Sequence, residues 1–147
     1  MAPRSEEELL DQCIELAIRC RWAVVHFRPA RLKDDRWVTA LQGHKGYPDL
    51  TLARDGLVLF RELKGATGRL SPEQLDWARQ ISGDPHWRED PSAEGRAGWR
   101  FDVWRPADFV RLVVPVLQGR GAARVSAAWH RGGDGRDVLV VSDQPRA

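Results

Sequence analysis

Gly43-His44-Lys45-Gly46-Tyr47-Pro48-Asp49-Leu50-Thr51-Leu52-Ala53-Arg54-Asp55-Gly56-Leu57-Val58-Leu59-Phe60-Arg61-Glu62-Leu63-Lys64 decides the fold of this chain. Its two apolar runs, Leu50 to Ala53 and Leu57 to Leu63, read as β-strands. The link Asp55-Gly56 has the composition of a hairpin turn, which makes the strands antiparallel neighbours. Side chains two apart on a strand share a face. Glu62 and Lys64 therefore lie with Val58 and Phe60, while Leu57, Leu59, Arg61 and Leu63 lie opposite. Both faces are largely apolar, so the strand is expected to be central. The hairpin brings Asp49 within reach of Glu62 or Lys64, provided that the register agrees. Acids in such runs are costly unless something pairs with them.

Two carboxylates beside one lysine suit a hard divalent cation, because magnesium takes oxygen ligands and keeps waters for a substrate phosphate. A cation there would activate water and neutralise charge on a phosphoryl group, with the lysine steadying the attacking water. The competing reading is a structural ion pair, since Glu-x-Lys triplets commonly pair charges across one face of a sheet.

With 147 residues, 42% hydrophobic and 30% charged, the chain is expected to form one globular domain with a single core. A net charge of +2 is only mildly basic, so affinity for nucleic acid has to come from local patches. Among the 23 basic residues, lysine occurs only at Lys33, Lys45 and Lys64. Cys13 and Cys20 fall on one predicted helix, about 10.5 Å apart along its axis, too far for a disulfide. Neither belongs to a zinc-spaced motif. The start of the chain has no signal core and no run reaches transmembrane length, so no membrane partner and a cytoplasmic location are expected.

Ser5 and Glu8 fit a capping box opening a helix in which Leu9, Leu10, Cys13, Ile14, Ala17 and Ile18 form the buried stripe. Trp22 to Phe27 reads as a strand, and Arg28 to Gly46 as a long basic loop. Ser71-Pro72-Glu73-Gln74 opens a second helix with cap, N1 proline and capping-box glutamine. Residues 83 to 98 are polar and rich in Gly and Pro, and are expected to be a surface insertion. Trp99 to Trp104 reads as a further strand. Pro106 to Leu117 reads as a third helix that Pro115 should bend or end early. Arg124 to Trp129 and Asp137 to Val141 flank Arg131-Gly132-Gly133-Asp134-Gly135 as a β-hairpin. Trp22, Trp77, Trp99 and Trp104 occupy apolar positions expected in the core.

The order helix, strand, Asp-bearing strand, Glu-x-Lys strand, helix, strand resembles the PD-(D/E)xK nuclease superfamily. Gly46-Tyr47-Pro48-Asp49-Leu50, Glu62-Leu63-Lys64, Gly68 to Gln74 and Val103-Trp104-Arg105-Pro106 narrow the resemblance to the VRR-NUC family, small phage and bacterial versions of which carry similar elements. The resemblance covers roughly residues 5 to 117. It implies an α/β (α+β) fold: a restriction-endonuclease-like core over 1–118, with a central mixed β-sheet flanked by helices, and a C-terminal hairpin-like extension over 119–147.

Carried over by position, the resemblance makes Asp49 and Glu62 metal-binding acids, with the main-chain carbonyl of Leu63 completing the site for Mg²⁺ or Mn²⁺. Lys64 matches the lysine that assists the attacking water. Gln74 matches the family glutamine, although Ser71 and Gln74 also form a capping box. For the helical acid, Glu6 lies on the inward face, three and four residues before Leu9 and Leu10; Glu8 is the alternative and serves the cap. Arg28, Arg31 and Lys45 flank the mouth of the expected site, where they would hold phosphates, or else they form a solvated charge run. Trp37 is a candidate for stacking on an unpaired base, or else it closes a small satellite core. The implied activity is metal-dependent DNA endonuclease action, selective for branched or junction DNA, by a homodimer. A non-catalytic nucleic-acid-binding module and a protein-interaction scaffold are the competing classes.

Overall fold

The computed structural model describes residues 1–27, 30, 31, 33–38, 42–119, 124–131 and 137–144, with backbone alone at 30, 31, 37, 38 and beyond 119. Helix α1 (Glu6–Arg19) begins where the extended Ser5 accepts the Glu8 N–H on its hydroxyl at 3.1 Å. Three acids in its first turn suit the positive end of the helix dipole. Leu9, Cys13 and Ala17, at four-residue spacing, are its fully buried stripe. Leu10 and Ile14 are half-buried, and Ile18, expected in the stripe, is 61% exposed. The α1 stripe is therefore narrower than the periodicity implied. Cys13 and Cys20 are free thiols, and burial pushes Cys13 up to about 12.

A four-stranded mixed sheet follows, in the order β1 (Ala23–Val25), β4 (Leu50–Arg54), β5 (Leu57–Leu63), β6 (Phe101–Trp104). The β4–β5 hairpin turns on Asp55 and Gly56, both at positive φ (51° and 80°), the conformation of a type I′ turn. β6 is parallel to β5, a pairing that requires a crossover. Helix α2 (Pro72–Ser82) supplies it, capped by the reciprocal Ser71–Gln74 box and ended by Gly83 in the left-handed conformation. Arg28 to Gly46 is not wholly loop, because β2 (Ala30–Arg31) and β3 (Trp37–Val38) form a small antiparallel pair within it.

The two faces of the sheet carry separate apolar clusters. Leu50, Leu52, Leu59, Leu63 and Trp104 pack with α1, Trp22 and the segment 106–117. Phe101 and Val103 pack with Ala78 of α2 and with Trp87, with Trp99 partly buried beside them. Segment 106–117 is helical but irregular: a 3₁₀ turn (Pro106–Asp108), a π-type turn (Phe109–Val113) and then α3 (Val114–Leu117). Pro115 has no N–H to donate to the preceding turn, and the widened turn lies directly before α3. Residues 83–98 were expected to lie on the surface, but Trp87 and Arg96 are buried there. The insertion is fastened to the core at two points. The C-terminal strands β7 (Arg124–Arg131) and β8 (Asp137–Gln144) pair antiparallel in a sheet of their own. Among the described residues no helix is long and apolar enough to cross a membrane.

On the α1 side of the sheet lies a buried line of charge. Arg61 is wholly buried and stands beside Asp102 in the β5–β6 register. Its guanidinium donates to the carbonyls of Phe60, Trp99 and Arg100 at 2.8–3.0 Å and lies 5.0 Å from the Trp104 ring. Arg96 bridges Asp102 (3.2 Å) and Asp108 (3.1 Å). Burial pulls Arg61 down to about 10 and pushes Asp102 up to about 6, against the guanidiniums of Arg61 and Arg96. Asp102→Ala would strip both arginines of a buried counter-charge and is expected to cost about 3–5 kcal/mol. Urea denaturation measures this; a loss below about 1 kcal/mol would show that the network does not hold β6 to β5.

Candidate functional site

Asp49 directly precedes β4, and the pairing of Leu50 with Arg61 brings it beside Glu62. Three main-chain contacts and one close approach fix the segment. The N–H of Leu63 donates to Asp49 Oδ2 at 2.8 Å. The ring of His26, just past β1, lies 2.8 Å by its Nδ1 from the Asp49 carbonyl. A carbonyl only accepts, so Nδ1 carries the proton. The Trp77 indole N–H donates to the Lys45 carbonyl at 2.8 Å. Gly46 sits at φ +87°, and a Cβ there would stand 2.6 Å from the Glu73 carbonyl carbon and 2.8 Å from the Gln74 nitrogen. Only glycine lets this loop lie on the start of α2.

The Asp49 and Glu62 carboxylates come within hydrogen-bonding reach of each other. When both are ionised they offer acceptors only, so a bond between them needs a shared proton. Glu62 is 1% exposed, and its Oε2 has no hydrogen-bond partner. With both ionised Oε2 stays unpartnered, whereas a proton held by Glu62 would let the two carboxylates bond. Burial, then the charge of Asp49, pushes Glu62 up to about 8, with Lys64 opposing. Burial also raises Asp49; the Leu63 N–H and His26 oppose that rise, and Glu6 adds to it. The site therefore calls for positive charge beyond what Lys64 brings.

Lys64 Nζ lies 3.2 Å from Glu62 Oε1, on the face the strand alternation predicts. A Cβ added at Gly68 would stand 3.3 Å from Lys64 Cδ, so the bare Gly68 backbone lies close beside the lysine stem. Gln74 does both of the jobs expected of it: Oε1 accepts the Ser71 N–H at 2.9 Å, and Nε2 donates to Glu62 Oε1 at 2.5 Å. Of the two helical acids, Glu6 reaches the site, accepting the Gly65 N–H at 2.9 Å. Glu8 turns away and accepts the Arg4 N–H at 2.8 Å. Asp49, Glu62, Leu63, Lys64, Gln74 and Glu6 thus converge on the end of the β4–β5 hairpin.

The basic residues expected at the mouth do not all join them. Arg28 lies outside the described residues, as does the side chain of Arg31. The side chain of Trp37 is also outside them. Lys45 is exposed and lines a cavity of about 810 Å³ against α2, together with His44, Trp77, Arg79 and Gln80. Neither carboxylate lines that cavity. Two neighbours escaped the sequence reading. His26 holds the main chain of Asp49. Arg105 donates to the carbonyls of Gly65 (2.6 Å) and Gly68 (2.8 Å) while paired with Glu89 at 2.7 Å. It clamps the loop that carries the Gly65 N–H.

Among the described residues no group of three or more His, Cys, Asp or Glu side chains is arranged to hold a metal ion. What the site offers a cation is two neighbouring carboxylates, one with an unpartnered buried oxygen. That donor set fits a hard divalent ion completed by main-chain oxygen and water. No protein family, curated protein or solved structure matches the chain.

Glu62 sets a pH dependence. Its folded value near 8, against an ordinary 4.5, means the metal-free folded state keeps a proton that the unfolded chain has already released. Stability should therefore fall as pH rises from about 4.5 to about 8. The contribution is bounded by about 1.4 kcal/mol per pH unit, the limit for one proton. Glu62→Gln should flatten that slope in chelator and be at least as stable as wild type at the alkaline end. Thermal melts across the range check this; parallel slopes for the two proteins would refute the raised value.

Proposed function

We propose that this chain is a divalent-metal-dependent DNA endonuclease of the PD-(D/E)xK type, similar to the VRR-NUC family, hydrolysing phosphodiester bonds. The observation that supports it most is the meeting of the Asp49 and Glu62 carboxylates with Lys64 3.2 Å from Glu62, on one face of a central strand. Glu6 and Gln74 reach the same point from two different helices. A structural ion pair accounts for Glu62 and Lys64 but gives no reason to bury a second carboxylate against the first.

On this reading Asp49, Glu62 and the Leu63 carbonyl hold Mg²⁺ or Mn²⁺. The bound ion supplies a lowered pKa for a water and neutralises charge on the phosphoryl oxygens. The residues of the chain do the rest. Gln74 holds Oε1 of Glu62 with its amide, leaving Oε2 free to ligate. The Leu63 N–H fixes Oδ2 of Asp49. The ammonium of Lys64, restrained by Glu62 and Gly68, donates to the attacking water or to a non-bridging phosphate oxygen. Glu6, anchored on the Gly65 N–H, adds a further acceptor at the edge of the site. Branched or junction DNA as substrate and a homodimeric assembly are what the resemblance implies.

The test is incubation with Mg²⁺ or Mn²⁺ and linear, single-stranded, flap, nicked and four-way-junction DNA, with cut positions mapped. Wild type should cut at least one of these, and Lys64→Ala should cut at least about 100-fold more slowly while keeping its circular dichroism spectrum. Asp49→Ala should lose both cutting and the rise in melting temperature that Mn²⁺ gives wild type. Cleavage by Lys64→Ala at the wild-type rate would refute the assignment. Tight DNA binding by wild type with no cutting of any substrate would favour the non-catalytic module instead.

A further inference from the structure

The cavity of about 810 Å³ lined by α2 and by His44 and Lys45 has no part in the chemistry above. We infer that it receives an unpaired nucleotide of the strand being cut, with the base against Trp77 and the phosphate on Lys45 and His44; this rests on the nuclease reading.

Position is the first support. Gln74, which holds Glu62, and Trp77 are three residues apart on α2, about 4.5 Å along the axis and on neighbouring positions of the helix surface. Lys45 lies four residues before Asp49 on the loop that Gly46 presses against the same helix. A strand whose scissile phosphate sat at Asp49 and Glu62 could follow these two short links, from Gln74 to Trp77 and from Asp49 to Lys45, into the cavity.

The second support is rigidity. The Trp77 ring is fixed twice, by its N–H on the Lys45 carbonyl at 2.8 Å and by Tyr47 at 5.1 Å and 85°. A ring already immobilised offers a stacking surface with little entropy left to lose. Its volume lies within the range of sites that enclose small organic groups.

The third is the mixture of charges. His44, Lys45 and Arg79 share the lining with Glu73 and Asp76. An isolated phosphate would meet both signs. A nucleotide separates them, since its phosphate needs cations while the N–H groups of its base donate to carboxylates or to Gln80. Base edges and faces are accessible in this way only where the strand is unpaired. The cavity would thus favour substrates with single-stranded character at the cut.

The measurement is fluorescence anisotropy of a short labelled oligothymidylate and of a blunt duplex, in Mg²⁺, on a Lys64→Ala background. Trp77→Ala should weaken single-strand binding about 5- to 150-fold, the range that one base–aromatic stack commands. Duplex affinity should change by no more than about twofold. Gln80→Trp, at an exposed position on the cavity wall, should have the same effect by filling it, and decides the matter if Trp77→Ala does not fold. Undiminished single-strand binding in Gln80→Trp would overturn the inference. Thymidine monophosphate competing as well as the strand would also overturn it, making this a free-nucleotide site. Loss of strand binding in both variants, from a wild-type chain that cuts no DNA, would refute the nuclease reading and keep the nucleotide site.

Discussion

The register of the β4–β5 hairpin is the constraint on which everything else depends. Adjacent residues of β5 point to opposite faces, and there Arg61 and Glu62 are both buried. A slip of one residue would exchange a cation for an anion on both sides of the sheet at once. Arg61 would leave its three carbonyls and Asp102, and Glu62 would leave Gln74 and Lys64. Two buried ionic arrangements therefore lock the strand against each other. The turn at Asp55-Gly56, with both residues at positive φ, fixes the same register from the far end.

Given that register, the site is assembled by groups that each do two things. Gln74 closes the cap of α2 with its carbonyl and steers Glu62 with its amide, so the start of the crossover helix and the carboxylate cannot move independently. Arg105 joins the insertion, through Glu89, to the carbonyls of Gly65 and Gly68. The insertion at 83–98 thereby contributes to the loop after Lys64 as well as covering Phe101 with Trp87. Such sharing is economical in residues and makes the geometry stiff.

The parts legible in the sequence were those whose signal is local. Turn residues gave the hairpin, alternation placed Glu62 and Lys64 on one face, and a three- and four-residue offset from Leu9 and Leu10 pointed to Glu6. The capping box at Ser71 was equally plain. What escaped was every contact made to a main-chain carbonyl, because carbonyls have no sequence signature: His26 on Asp49, Arg105 on its loop, Trp77 on Lys45. The buried arginines escaped for a related reason. Alternation put Arg61 on an apolar face without naming its partner, and only the parallel β5–β6 pairing brings Asp102 between Arg61 and Arg96. Ile18 failed in the opposite sense, since helical spacing marks a face but does not say how wide a stripe the neighbours cover.

On the nuclease reading, the electrostatics of the site also orders its events. Without a metal ion, Glu6, Asp49 and Glu62 face one ammonium among the described residues, Lys64, and the net charge of +2 is too small to draw a phosphodiester into that field from a distance. The same crowding that raises Glu62 would repel the substrate. A proton on Glu62 relieves the repulsion but removes the ligand. A divalent ion would relieve it while keeping both carboxylates ionised, bringing the cluster to neutrality so that the phosphate is no longer repelled. On the nuclease reading, then, metal binds before the strand or together with it, and cations outside the carboxylate cluster, such as Lys45, hold the DNA while the centre itself stays close to neutral.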